Sequence, residues 1–223
     1  MTILYALLNS LRNNKTKCYE KFSIFLLLSL FFVGMIAVLP SCKKTETEKP
    51  LTSIEKKDLL FMREEEKLAR DVYLYAYDKY GMEIFKNISS AEQTHMDAIL
   101  TLLNKYNLPD PAKPQRGVFS DSTLQNLYNF LVATVDSSAV KALIVGATIE
   151  DKDIEDLQVA IDSAQHDDII DTYKMLQCGS RNHLRAFYKQ IVDSGATYTP
   201  QYISESEFNS IVNSDRERCG SGK

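Results

Sequence analysis

The sequence contains no tryptophan and few residues that interrupt regular structure, with 8 glycines and 6 prolines among 223 residues. So few breakers over this length favour long helices over many short strands. Basic residues do not predominate either, because 26 Lys and Arg stand against 30 Asp and Glu, which gives a formal charge of −4. A nucleic-acid-binding domain normally has a net basic face, so this balance argues against nucleic acid as a partner.

Cysteine is scarce as well, with four residues and no CxxC pair. The sequence therefore has neither a rubredoxin-like iron module nor a dithiol site. Cys178 and Cys219 can pair in an oxidising compartment, but their spacing alone does not decide whether they do. There is also no Gly-rich phosphate loop and no convincing Ser/His/Asp order. We expect neither a nucleotide nor a haem cofactor.

A long hydrophobic run lies near the N-terminus, from Phe22 to Leu39, and follows four basic residues. This arrangement is typical of an export signal or a membrane anchor. The run ends in Leu39-Pro40-Ser41-Cys42, which resembles a bacterial lipoprotein signal. We predict a signal peptide over 1–41, lipidation at Cys42 and attachment to a membrane in the bacterial cell envelope, on its periplasmic or outer-membrane side. A plain transmembrane anchor is the alternative.

The remainder predicts an all-α chain. Residues 42–53 are polar and predict a tether. Helical periodicity predicts a domain over 54–194, with four long helices at 54–80, 84–106, 138–163 and 167–194 and a short helix at 123–135. A polar tail over 195–223 carries one short helix after Ser204. Short connections make the first and second helices, and the third and fourth, antiparallel, so that a four-helix bundle of two hairpins joined by a long crossover is expected.

All four predicted long helices carry an acid or an imidazole inside the apolar stripe. On the second helix Glu92 and His95 are three residues apart and point together among the hydrophobic side chains. The third helix places Glu150 at the centre of its stripe, with Asp153 one turn later toward the edge. The fourth surrounds His183 with hydrophobic neighbours. Buried carboxylates are costly unless they are paired or bound to a metal, so these positions are candidate metal ligands.

The first helix contributes the run Glu64-Glu65-Glu66. Its projection puts Glu64 on the more polar side and leaves either Glu65 or Glu66 facing inward. Carboxylate and imidazole ligands on facing helices suit iron or manganese, and zinc less specifically. A buried network of ion pairs between histidine and glutamate is the alternative interpretation.

These residues resemble the ferritin-like superfamily, especially its rubrerythrin-type branch. Glu92-Gln93-Thr94-His95 matches the Glu-x-x-His motif of the second helix, Glu150 matches the ligand of the third, and the pattern Glu-x-x-Ala-x-x-x-Tyr selects Glu66 and Tyr73. The segments REEEKLARDVY, SAEQTHMDAI and GSRNHLRAF are similar to an uncharacterised prokaryotic ferritin-like family, over about residues 54–192.

The resemblance implies a ferritin-like four-helix bundle that binds one or two ions of iron or manganese. Its implied ligands are Glu66, Glu92, His95, Glu150 and His183, with Glu65 and Asp153 as further candidates. The sequence departs from the superfamily at Ser180, where the fourth helix should carry a glutamate. This departure puts a dinuclear site in question.

Three functions follow from this sequence interpretation. The first is a redox enzyme that oxidises Fe(II) or uses dioxygen or peroxide, with Tyr73, Arg181 and Ser180 beside the ligands or in a redox role. The second is a non-catalytic metal binder. The third is an interaction module whose Glu/His cluster is a structural polar network. Dimer formation is compatible with each.

Overall fold

The computed structural model describes residues 49–220. The predicted signal peptide, the predicted lipidation site Cys42 and most of the predicted tether lie outside these residues. Over 49–220, no helix combines the length and the apolar character needed to cross a membrane.

The described residues form six helices and no strand, which confirms the all-α prediction. Each long helix begins and ends within one residue of its predicted limits. The helices are α1 (Ser53–Tyr80), α2 (Glu83–Lys105), α3 (Ser122–Val135), α4 (Ala139–Ser163), α5 (Asp167–Asp193) and α6 (Glu205–Val212).

Glu55 shows how local sequence fixes one end of the fold. The Thr52 hydroxyl accepts a hydrogen bond from the Glu55 backbone at 3.1 Å, and the Glu55 carboxylate accepts one from the Thr52 backbone at 2.9 Å. This capping box starts α1. The same carboxylate accepts the backbone N–H groups of Gln165 and His166 and contacts the His166 ring. Glu55 therefore joins the start of α1 to the turn between α4 and α5.

Among the four long helices α1, α2, α4 and α5, each packs against two of the other three. Helix α1 contacts α2 and α4, and helix α5 also contacts α2 and α4. Their buried hydrophobic side chains form two separate clusters. One contains Tyr73, Phe85 and Phe187, and the other contains Leu59, Ile99 and Leu176. Between the two clusters, each long helix contributes buried polar side chains, so a polar layer divides the hydrophobic core.

The residues after 194, predicted as a polar tail with a short helix, pack on the long helices. Phe208 and Ile211 of α6 are buried in the first cluster. Asp151 of α4 accepts hydrogen bonds from the Tyr198 hydroxyl at 2.7 Å and from the Ile203 backbone at 2.9 Å. A disulfide joins Cys178 of α5 to Cys219, so the pairing that the spacing left open is present.

Candidate metal centre

The polar layer contains a first group of three ligand-type side chains, Glu66 of α1 and Glu92 and His95 of α2. One ligand atom of each lies within 4.8 Å of the others. His95 Nδ1 is 2.8 Å from Glu92 Oε2 and 3.2 Å from Glu66 Oε2. The three-residue spacing on α2 brings the first pair together, and the packing of α1 on α2 adds Glu66.

A second group of three lies beside the first and shares Glu92 with it. Its other members are Glu150 of α4 and His183 of α5. His183 Nδ1 is 2.8 Å from Glu92 Oε1 and 3.3 Å from Glu150 Oε2. The rings of His95 and His183 are stacked, with centroids 5.6 Å apart. Glu92 therefore turns one carboxylate oxygen toward each imidazole.

The structure thus brings together the five main ligands predicted from the sequence and separates the two candidates on α1. Glu66 belongs to the first group, whereas Glu65 lies near Asp153 and Asp156. Glu64, which the helical projection places on the polar side, is 3% exposed. Its carboxylate accepts the backbone N–H groups of Ser120 and Asp121 at 2.5 and 2.9 Å, so it stabilises the start of α3.

Asp153 and Ser180 face each other beside the two groups. The Ser180 hydroxyl donates a hydrogen bond to Asp153 Oδ2, while Asp153 Oδ1 has no partner among the described residues. Asp153 is 6% exposed and Ser180 is completely buried. A carboxylate from α4 therefore lies next to the α5 position where the ferritin-like pattern has a glutamate.

Tyr73 of α1 is completely buried and contacts the second group directly. Its hydroxyl donates a hydrogen bond to Glu150 Oε1 at 2.5 Å. Its ring packs against Phe85 and Phe187 of the first hydrophobic cluster. This hydrogen bond leaves Glu150 Oε2 as the oxygen that faces His183.

Burial dominates the electrostatics of the carboxylates in the layer. It raises the pKa of Glu150 to about 8 and that of Asp153 to about 7, and the charge of Glu92 adds to both shifts. Burial also raises the pKa of Glu66 well above its ordinary value. At Glu92 burial acts in the same direction, but His183 and His95 outweigh it and lower the pKa.

The histidines respond in the opposite sense. Burial disfavours the charged imidazole, but Glu92 and Glu150 outweigh it and raise the pKa of His183 to about 10. Glu66 and Glu92 likewise raise the pKa of His95. The charged imidazoles and the Glu92 carboxylate therefore stabilise each other.

A cavity of about 620 Å³ leads from the surface to the two imidazoles. Its walls come from α2, from α5 and from residues 216–219, which we call the C-terminal strap. Gly179 of α5 lies under the strap, where a Cβ atom would be 2.6 Å from Cε1 and Nε2 of His95. Glycine therefore leaves the room that the His95 ring occupies.

The strap is fixed to α5 beside the cavity that His183 lines. Glu217 accepts hydrogen bonds from Arg181 and Arg185, and its backbone N–H donates to Asn182 Oδ1 at 2.9 Å. The sequence predicts Arg181 beside the ligands, but nothing in it identifies Glu217 as the partner of Arg181. The sequence separation of 36 residues offers no local pattern that would identify this pair.

Comparison with known proteins places the chain among uncharacterised relatives. A family model described as "Uncharacterized protein domain (DUF2202)" matches residues 55–215. The chain is 52% identical over 172 residues to "Uncharacterized protein MJ0754" of Methanocaldococcus jannaschii, covering 77% of this chain and 93% of the relative. The crystal structure of hypothetical protein MJ0754 from Methanococcus jannaschii matches with a TM-score of 0.75 and 52% identity, covering 76% of this chain and 98% of that one.

Proposed function

The chain belongs to this family of uncharacterised domains, and we propose that its core is a ferritin-like four-helix bundle that binds two ions of iron or manganese. The observation that carries the proposal is the position of Glu92 between two Glu/His groups. A carboxylate with one oxygen toward each of two neighbouring sites is suited to bridge two cations. Glu66 and His95 would complete one site, and Glu150 and His183 the other.

The direction of the helices supports the ferritin-like arrangement. Along α1 and α5 the chain passes from the cluster with Leu59 to the cluster with Tyr73, and along α2 and α4 it passes the opposite way. Helices α1 and α2 therefore run antiparallel, as do α4 and α5. The segment between these hairpins is long and contains α3, which matches a bundle with one long crossover.

The donor atoms fit the proposed ions. Four buried carboxylate oxygens among the described residues have no hydrogen-bond partner, and two of them are Glu66 Oε1 and Glu92 Oε1. Glu92 Oε1 lies 2.8 Å from His183 Nδ1 without the alignment of a hydrogen bond. Oxygen and imidazole donors suit iron and manganese better than they suit thiophilic metals. A cation between these groups would compensate the buried negative charge.

The proposed activity is oxidation chemistry with dioxygen or peroxide, including oxidation of Fe(II). Two bound ions of iron or manganese would supply the electrons for this class of reaction. The Tyr73 hydroxyl orients the ligand Glu150, and Ser180 holds one oxygen of the neighbouring Asp153. The cavity beneath the C-terminal strap gives small molecules access to the imidazole side.

A non-catalytic, mononuclear metal binder is the second candidate, and Ser180 favours it. The α5 position that should supply a carboxylate supplies a hydroxyl, which is already bonded to Asp153. The two groups then share one bridging carboxylate, Glu92, so occupancy of one site would weaken the other by repulsion between the cations.

The cellular setting is also proposed from the sequence. The basic lead, the apolar run and Cys42 favour a lipoprotein that is held at the cell envelope by its acyl chains. The disulfide is compatible with an oxidising compartment. Mass spectrometry of the protein from a membrane fraction would detect a diacylglycerol on Cys42, and an unmodified N-terminal segment would contradict this setting.

Elemental analysis after anaerobic loading with Fe(II) or Mn(II) tests the metal proposal. We expect two ions per chain in the wild type and, in His95→Ala, loss of the ion bound by Glu66, Glu92 and His95. The matched control is His166→Ala, because His166 also contacts a buried glutamate, Glu55, but belongs to no group of three. One ion per chain would favour the mononuclear binder. No ion in a folded wild type would contradict both candidates and leave the interaction module.

A further inference from the structure

Buried carboxylates extend beyond the two ligand groups. Glu65 precedes Glu66 on α1, is 8% exposed, and its Oε2 has no hydrogen-bond partner in the described part of the chain. Asp153 Oδ1 is unpartnered as well. Neither residue belongs to the two ligand groups. Both are therefore costly features for which the proposed centre alone gives no reason.

Glu65 lies close to several other acids. It is within hydrogen-bonding reach of Asp156 and interacts electrostatically with Asp153 and Glu66. Two negative charges in such contact repel each other, and a cation between them would relieve that repulsion. Asp156 additionally accepts a hydrogen bond from Lys152 at 2.6 Å, on the side that is open to solvent.

Asp156 reaches the surface through a second cavity, of about 360 Å³, between α1, α4 and the start of α3. Three carboxylates line it, those of Asp58, Asp121 and Asp156, together with one ammonium group, that of Lys57. A cavity with this excess of negative charge attracts cations and raises their local concentration. We call it the acidic cavity.

The cavity under the C-terminal strap has the opposite character. Arg216 and Arg218 line it, and its one carboxylate, Glu217, is already paired with Arg181 and Arg185. Its two lining arginines repel cations. The two cavities therefore differ in the charge of the molecules that they favour.

We propose that divalent cations reach the centre from the acidic cavity, and that Glu65 is the transfer ligand that passes them from Asp156 to Glu66 and Asp153. The inference rests on the proposed function, because it requires a centre that binds metal. It assigns a role to the unpartnered oxygens of Glu65 and Asp153. In this proposal, neutral or anionic reactants enter through the cavity under the C-terminal strap.

The test is the rate at which Co(II) enters the metal-free protein, followed by its visible absorption in a stopped-flow instrument under anaerobic conditions. Glu65→Gln and Asp156→Asn keep the size of each side chain and remove its charge. We expect loading to slow about tenfold or more in both variants, with an unchanged final stoichiometry.

Glu155→Gln is the matched control. Glu155 also accepts a hydrogen bond from Lys152, at 3.1 Å, but it does not line the acidic cavity. It should load at the wild-type rate. Circular dichroism and thermal unfolding of each metal-free variant show that a slower rate does not arise from a loss of folded protein.

Two results would overturn the inference while leaving the proposed function intact. One is wild-type loading rates in Glu65→Gln and Asp156→Asn. The other is a lower final stoichiometry at an unchanged rate in Glu65→Gln, which would make Glu65 a permanent ligand. If the wild type itself binds no Co(II), Fe(II) or Mn(II), the proposed function fails and the inference fails with it.

Discussion

The Ser180 hydroxyl donates a hydrogen bond to the Asp153 carboxylate across the contact between α4 and α5. The two residues are 27 positions apart in the sequence and both are buried. The α5 residue that departs from the ferritin-like pattern is thus the one that holds an additional acid from α4. The negative charge that α5 lacks is present nearby, but it comes from another helix.

Asp153→Asn is expected to stabilise the metal-free protein by about 1 kcal/mol or more, because it removes a buried carboxylate whose other oxygen has no partner. Asparagine retains an oxygen that can accept the Ser180 bond. Urea unfolding in the presence of a chelator measures the change. Glu155→Gln, on the same helix but with its side chain 42% exposed, should change stability by less than about 0.5 kcal/mol. Destabilisation by Asp153→Asn would mean that this carboxylate is needed for the fold.

Glu92→Gln is expected to remove metal from both sites, whereas Glu66→Gln is expected to affect one. Glu92 belongs to both ligand groups, and Glu66 belongs to the first. Loss of the shared ligand also leaves two histidines without the carboxylate that stabilises their charge. Elemental analysis of the loaded variants reads out the difference. Equal losses in the two variants would contradict the bridging role of Glu92.

Glu55→Gln is expected to destabilise the protein at pH 7 by about 1–3 kcal/mol, because five hydrogen bonds converge on this buried carboxylate. Burial alone would raise its pKa, but the bonds from His166, Gln165 and Thr52 outweigh it and lower the pKa to about 2.

The pH dependence follows from that direction. A carboxylate whose pKa is lower in the folded state stabilises the fold above its unfolded pKa, and this contribution is lost as the pH falls through the folded value. The difference between wild type and Glu55→Gln should therefore shrink between about pH 5 and pH 2. Denaturant unfolding at several pH values measures it. A constant difference would show that the charge of Glu55 is not what stabilises the turn.

Cys178→Ser with Cys219→Ser is expected to lower the free energy of unfolding by about 2–4 kcal/mol, because the bond closes a loop across 41 residues. Hydrogen exchange should rise over residues 205–220, while the centre of α1 stays protected. Adding a reductant to the wild type should reproduce the effect, and adding it to the double variant should change nothing. Unchanged exchange in the strap would mean that Glu217 and its arginines suffice to hold it.

The helices could be predicted from the sequence because their signals are local. Thr52 and Glu55 are three residues apart, and both the capping box and the hydrophobic stripes repeat within one or two turns. The same periodicity identified Glu92, His95, Glu150 and His183 as inward-facing, and the structure brings them together. The inward orientation of each of these residues can be predicted from the sequence of its own helix alone.

The remaining features depend on which helices are neighbours. Glu64, Glu65 and Glu66 are successive residues on α1, and all three are buried because α3, α4 and α2 cover different sides of that helix. The projection of a single helix cannot show a partner on another element. For this reason the projection of α1 predicts that Glu64 lies on the polar side, although the residue is buried. The pairing of Glu217 with Arg181 and Arg185 likewise cannot be predicted from one helix, because the partners come from different segments.

Gly179 carries no functional group, yet it has little freedom to change. Any side chain at this position would place its first carbon 2.6 Å from the His95 ring, which would have to leave its present position beside Glu66 and Glu92. In a saturation mutagenesis experiment that scores metal loading, position 179 would be as intolerant as a ligand. Failure of substitutions at position 179 would reflect the space that the His95 imidazole needs. Such scores alone would therefore make Gly179 look like a metal ligand, which it is not.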